Sequence, residues 1–196
     1  MANFKPFSDL LQQSQQAGFA DTKTQESRNW LRAKAQSVSR VREASLMRQQ
    51  DRFATRPVIG QMYLFSYDPK TKDELPYYDR LPLIFPFAAA GGSMYGINMH
   101  YLPYVYRAKL MDALYTLVTG TDKPEQTRLR MSYDILNRAS RFRYFKPCVK
   151  QYLNSHIQSR LIRIAPEEWD AALFLPLERF QKARKQRVFK ESMQKV

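Results

Sequence analysis

Residues 58–67 read VIGQMYLFSY, and they constrain the fold more than any other stretch of the chain. In an extended segment successive side chains point to opposite faces. Met62, Leu64 and Ser66 then share one face, and Tyr63, Phe65 and Tyr67 the other. Both faces are apolar or aromatic, so the segment reads as a strand that the rest of the chain must cover on each side. Asp68 to Asp73 is turn chemistry, and Leu75-Pro76-Tyr77-Tyr78-Asp79 reads as a structured loop. Leu81 to Phe87 is a second strand, whose Pro82 and Pro86 assign it to an edge or an interrupted ladder. Gly91-Gly92 makes a turn, and Met94 to His100 a third strand in which Gly96 permits a bulge or close approach. The expected fold class is α+β: a small antiparallel sheet or partial SH3-like barrel over about residues 57–101, packed with several helices.

Helical periodicity surrounds this centre. A short polar helix begins near Phe7 and stops near Gly18. A longer one is expected after Thr24, a plausible cap, running through Trp30, Leu31, Ala35, Val38, Val41 and Met47 to about Phe53. Its apolar stripe is narrow, which suits a helix laid across a neighbouring subunit. Trp30, Leu31, Val38, Val41 and Met47 are therefore the candidate subunit interface. The strongest helix follows Pro103, with Val105, Ala108, Met111, Leu114, Tyr115 and Val118 inward, and ends at Gly120. Glu125 to Ser140 forms another, with Leu129, Tyr133, Leu136 and Ala139 inward, and Pro147 to Ile157 a third. Arg160 to Ile164 is a strand returning to the sheet, and Pro166-Glu167-Glu168 starts a further helix. This divides the chain into a helical interaction arm (1–56), a compact body (57–180) and a basic C-terminal helix or tail (181–196). Deleting residues 1–50 should then leave the body folded.

Charge is distributed unevenly over the 196 residues, whose formal net charge is +14. Residues 57–100 carry three basic and four acidic side chains, whereas residues 101–165 carry twelve and four. A nearly neutral aromatic centre is flanked by basic helical material, a field that attracts polyanions. Arg128, Arg130, Arg138, Arg141, Arg143, Lys146 and Lys150 are interleaved with Phe142, Tyr144 and Phe145. Guanidinium forks suit phosphate, and aromatic faces stack on exposed bases. The same residues also read as ordinary helix decoration, with the aromatics entering the core. Tyr101, Tyr104, Tyr106 and Tyr115 read as packing and intersubunit contact.

Enzyme signatures are scarce: the chain has no phosphate-loop, GxGxxG, GxSxG or HExxH pattern. Two histidines, His100 and His156, and one cysteine are too few for a zinc site, and no cofactor is expected. Cys148 lies near Lys146 and Lys150, which would lower a thiol pKa, although a lone cysteine among apolar residues reads first as a small buried hydrophobe. A single cysteine forbids an internal disulfide, so folding in a reducing compartment is expected. Asp68, Asp73, Glu74 and Asp79 are the candidates for a metal-dependent nuclease, but they sit in turn sequence with interleaved lysines. The longest apolar run, Leu81 to Ala90, is too short for a bilayer, and no signal segment is apparent at the start. The expectation is a non-enzymatic protein without membrane contact.

Met62 to Lys70 (MYLFSYDPK), Leu75 to Asp79 (LPYYD), Leu83 to Pro86 (LIFP) and Tyr95 to Pro103 (YGINMHYLP) together resemble virion proteins of large contractile-tailed, T-even-like phages. Lys146 to Lys150 (KPCVK) and Trp169 through Leu175-Pro176 are similar to the same group. The resemblance covers about residues 57–180 and leaves the arm outside. It implies a structural subunit of the tail, baseplate or neck, or alternatively a DNA end protector, located in the virion and assembled in the host cytoplasm. Implied partners are other virion subunits in an oligomeric or mixed assembly, with double-stranded DNA in the second case.

Overall fold

The computed structural model describes residues 5–38 and 41–194. Residues 39–40, within the long helix expected from the sequence, lie outside the described residues, as do 1–4 of the arm and 195–196 of the tail.

The sheet is open, antiparallel and six-stranded. Its strands are β1 (Phe53–Ala54), β2 (Met62–Leu64), β4 (Leu83–Ala90), β5 (Ser93–Asn98), β6 (Val149–Leu153) and β7 (Leu161–Ile164), in the order β1-β7-β2-β4-β5-β6. A separate pair joins β3 (Tyr78–Asp79) to β8 (Phe180–Gln181). No barrel closes among the described residues; β7 is the strand expected to return to the sheet, and β1 and β6 are strands the sequence did not announce. The alternation in β2 behaves as the sequence implies. Met62 and Leu64 enter the main core, while Tyr63, Phe65 and Tyr67 join a second cluster with Ile84, Met94 and Tyr152.

β4 is an inner strand, not an edge. Its prolines are tolerated because β2 pairs only with Leu83 and Ile84, so that Pro86 faces no β2 partner and sits where the β4–β5 register shifts. Gly91 and Gly92, at φ of 54° and 76°, close the two-residue turn between Ala90 and Ser93. Opposite Pro86, Gly96 leaves no room for a side chain: a Cβ there would lie 2.8 Å from Ile84 Cδ1.

Helices α1 (Pro6–Gln16), α2 (Gln25–Gln36), α3 (Glu43–Leu46), α4 (Tyr104–Thr119), α5 (Glu125–Arg141), α6 (Trp169–Phe174) and α7 (Lys185–Gln194) complete the described fold. Trp169 is the centre of the main core, wholly buried, edge-on to Phe85 at 5.0 Å, with its indole N–H donated to the Ile164 carbonyl at 3.2 Å. Thr24 caps α2 by accepting from the Ser27 amide at 3.1 Å.

Three further expectations are corrected. The arm is not separate, since Phe7, Leu10, Leu31, Ala35, Val41 and Leu46 are buried in the same cluster as Trp169. Of the candidate interface residues, Leu31 and Val41 are fully buried, and Trp30, Val38 and Met47 are half-buried against that core. The stripe is narrow, but the body supplies what the sequence could not display: acids for the arm's cations. Arg28 forks between Asp112, at 2.5 and 3.0 Å, and Asp170, at 2.9 Å. Arg52 pairs with Glu168, at 2.6 Å to Oε1, and with Ser8. Second, residues 149–153 form a strand. Val149, Leu153 and Ile157 fit a helical spacing, yet the free side of β5 takes this segment in a five-residue register from Val149 opposite Ile97 to Leu153 opposite Ser93. Third, Val105 and Tyr133 point outward, 64% and 38% exposed. The buried line of α4 passes instead through Arg107, Leu110, Met111 and Leu114. Arg107 is tolerated there because Glu178 meets its guanidinium at 2.9 Å and the Leu102 carbonyl accepts from its Nε at 2.7 Å.

Candidate nucleic-acid interface

The long helix α5 and the turn after it carry most of the predicted basic cluster. Residues eight and eleven positions apart return to nearly the same face, so Arg130, Arg138 and Arg141 share a side that also carries Asp134. That face spans about 16 Å at 1.5 Å per residue. Arg138 and Arg141 occupy the last turn, where the helix dipole favours cations. The chain then leaves the helix in a tight turn: the Phe145 and Lys146 amides both donate to the Phe142 carbonyl at 2.9 Å. This turn presents Arg143 and Lys146 beside the helix end, both exposed.

The electrostatics of these cations differ from those of the arginines held in ion pairs. Arg28, Arg52, Arg80 and Arg107 are each held by a carboxylate. Arg130, Arg138, Arg141 and Lys146 make no ion pair among the described residues, and Arg143 lies 5.2 Å from the Tyr144 ring. On this ridge five exposed cations stand against the single acid Asp134, which leaves a local positive surplus.

Two members of the predicted cluster fall elsewhere. Arg128 donates to the Val118 carbonyl at 3.1 Å and ties α5 to the end of α4. Lys150, on β6, sits over the Tyr101 ring at 4.2 Å, beside a cavity of about 300 Å³ lined by Tyr67, Tyr77, Tyr101, Tyr152 and Asp79. Polar groups around that cavity are used internally. Asn98 donates to both Tyr152 Oη, at 3.0 Å, and Asp79, at 3.2 Å, and the Leu153 amide donates to Tyr67 Oη.

The aromatics of the ridge divide. Phe145 is buried, whereas Phe142 is 52% exposed and Tyr144 half-buried. Tyr144 stacks on Tyr106 of α4, with centroids 5.1 Å apart and planes 16° from parallel. Tyr106 is a member of this surface that the sequence assigned to packing.

Other candidate chemistry is engaged. Asp79 is buried, 2.7 Å from His100 Nδ1, and accepts from the Leu81 and Arg179 amides. Asp68 pairs with Lys72 at 3.0 Å. Among the described residues no three histidines, cysteines or carboxylates are grouped to hold a metal ion. Burial pushes the Cys148 thiol up to about 12, outweighing the opposite pull of Lys150 and Arg107, in line with the buried small hydrophobe that the sequence put first. No helix among the described residues is long and apolar enough to cross a membrane.

With this surface in view, comparison with known families is decisive. The phage T4 terminal DNA protecting protein family matches residues 7–196. The chain belongs to that family. No curated protein and no solved structure matches it. Of the virion components that the sequence resemblance left open, the terminal DNA protecting protein family is the DNA end protector, and tail, baseplate or neck placement gains nothing from the match. The match also takes in the arm, in keeping with its burial in the common core.

Proposed function

We propose that this chain is a non-enzymatic virion protein that binds the ends of phage double-stranded DNA. Arg130, Arg138, Arg141, Arg143 and Lys146 contact the phosphates. The observation that carries this reading is the row of exposed cations on and just after α5: Arg130, Arg138, Arg141, Arg143 and Lys146 make no ion pair among the described residues. Blocking an end by occupancy requires binding alone, so no reacting group is needed at the ridge. In this reading the protein is assembled in the host cytoplasm and resides in the virion beside other virion subunits. Arm-mediated assembly onto a neighbour is not favoured, because the arm's apolar stripe is consumed within its own chain.

Salt dependence tests the proposal. If all five cations meet phosphates, log K falls against log salt with a slope of about −4 to −5, near 0.9 per contact. The double variant Arg141→Gln, Arg143→Gln should reduce that slope by about 2. Binding that ignores salt, or a slope unchanged in the variant, refutes the assignment.

A further inference from the structure

A ridge of cations explains attraction to DNA but not why an end should be preferred. Phosphates are the same along the duplex, and within it every base pair is covered above and below. Only the last pair presents an open face. A surface that distinguishes ends therefore needs a group that gains from that face, and a flat apolar ring is such a group.

Phe142 has that property. It is 52% exposed, so about half of a large apolar ring is open to contact from outside the chain. It lies in sequence between Arg141 and Arg143, and its ring packs at a tilt against two others. The Tyr144 ring is 5.3 Å away and the buried Phe145 ring 6.2 Å away. Tyr144 in turn rests on Tyr106, so the three rings Phe142, Tyr144 and Tyr106 form a continuous aromatic wall. The backbone is held as firmly: the Phe142 amide donates to the Ala139 and Arg138 carbonyls, and its own carbonyl accepts two amides. The ring is thus presented from a rigid helix end, with little ordering cost left for binding. Its flanking cations carry no carboxylate partner, which matches the charge of a duplex terminus.

We infer that Phe142, backed by Tyr144 and Tyr106, stacks on the exposed face of the terminal base pair while the flanking cations hold the phosphates near that end. This deepens the proposed function and rests on it.

The experiment compares a short blunt duplex with the same duplex closed at both ends by thymine loops. The full chain and its Phe142→Ala, Phe142→Leu and Phe142→Trp variants are each titrated by fluorescence anisotropy. The parent should prefer the open duplex by about tenfold, the worth of one base stacked on a ring. Alanine and leucine should bring the ratio close to one, leucine because it keeps apolar bulk but has no flat π face, and tryptophan should restore the preference. With 2-aminopurine in the last pair, emission should change on binding for the parent and the tryptophan variant and stay constant for alanine. An alanine variant that keeps both the open-end preference and the 2-aminopurine response overturns the stacking inference and leaves the phosphate reading standing. A parent protein that binds neither duplex overturns both. Thermal unfolding of each variant accompanies the titrations, and a half-exposed ring should be replaceable without loss of fold.

Discussion

Leu31→Ala separates the structure of this protein from the simplest reading of its sequence. Leu31 sits on α2, has no exposed surface, and belongs to the cluster that contains Trp169, Leu114 and Phe85. α2 lies against α1 and α6, so truncating Leu31 opens a void where three helices meet. Buried leucine-to-alanine changes cost about 3 to 5 kcal/mol, the lost transfer energy together with the cavity left behind. For a chain of this size, that lowers the melting temperature by about 10 °C or more. Urea unfolding followed by Trp169 fluorescence, in a Trp30→Phe background, reports the body and not the arm. The midpoint of the Trp169 transition should shift to lower urea by the full amount. Lys34→Ala, an exposed change on the same helix, should shift it by no more than about 0.5 kcal/mol. A Trp169 transition that stays in place after Leu31→Ala, with only helical signal lost, would show that the arm folds apart from the body and would refute the shared core.

Two further outcomes follow from the interior. Burial disfavours ionisation of Glu178, but Arg107, His100 and Lys185 outweigh it and hold the carboxyl at about 2, below its ordinary 4.5. A group with a lowered folded pKa stabilises above its unfolded value, so roughly 3 kcal/mol should be present at neutral pH and lost as pH falls from 4.5 towards 2. Melting temperatures measured over that window should drop steeply for the parent and less so for Glu178→Gln, which starts lower; parallel curves would contradict the assignment. Gly96→Ala should cost about 1 to 3 kcal/mol by thermal unfolding, because its Cβ meets Ile84 Cδ1 and the Phe85 carbonyl. Ile84→Val should recover part of that loss, and strict additivity would argue against the clash.

The features visible in the sequence were those written in short-range pattern. Alternation in residues 62–67, the returning strand at 161–164 and the helices after Pro103 and Pro124 all follow from neighbours within one or two turns. The arm was misread because its partners are remote: Asp112 and Asp170 lie 84 and 142 positions from Arg28, and Glu168 lies 116 from Arg52. Segment 149–153 was ambiguous because so short an apolar pattern fits either period until β5 offers an unpaired edge. At the ridge, residue types were readable but directions were not. Nothing local says that Phe142 turns out while Phe145 turns in, or that Lys150 leaves the cluster for Tyr101.

The most direct measurement is the survival of linear duplex DNA against a processive duplex exonuclease. The parent protein should keep the DNA at full length once its ends are occupied. A variant with Arg138, Arg141, Arg143 and Lys146 all changed to glutamine, and still folded, should leave it to be degraded at the rate seen without protein. Protection by that variant equal to the parent's, or none by the parent, would contradict the assignment of end binding to the α5 ridge.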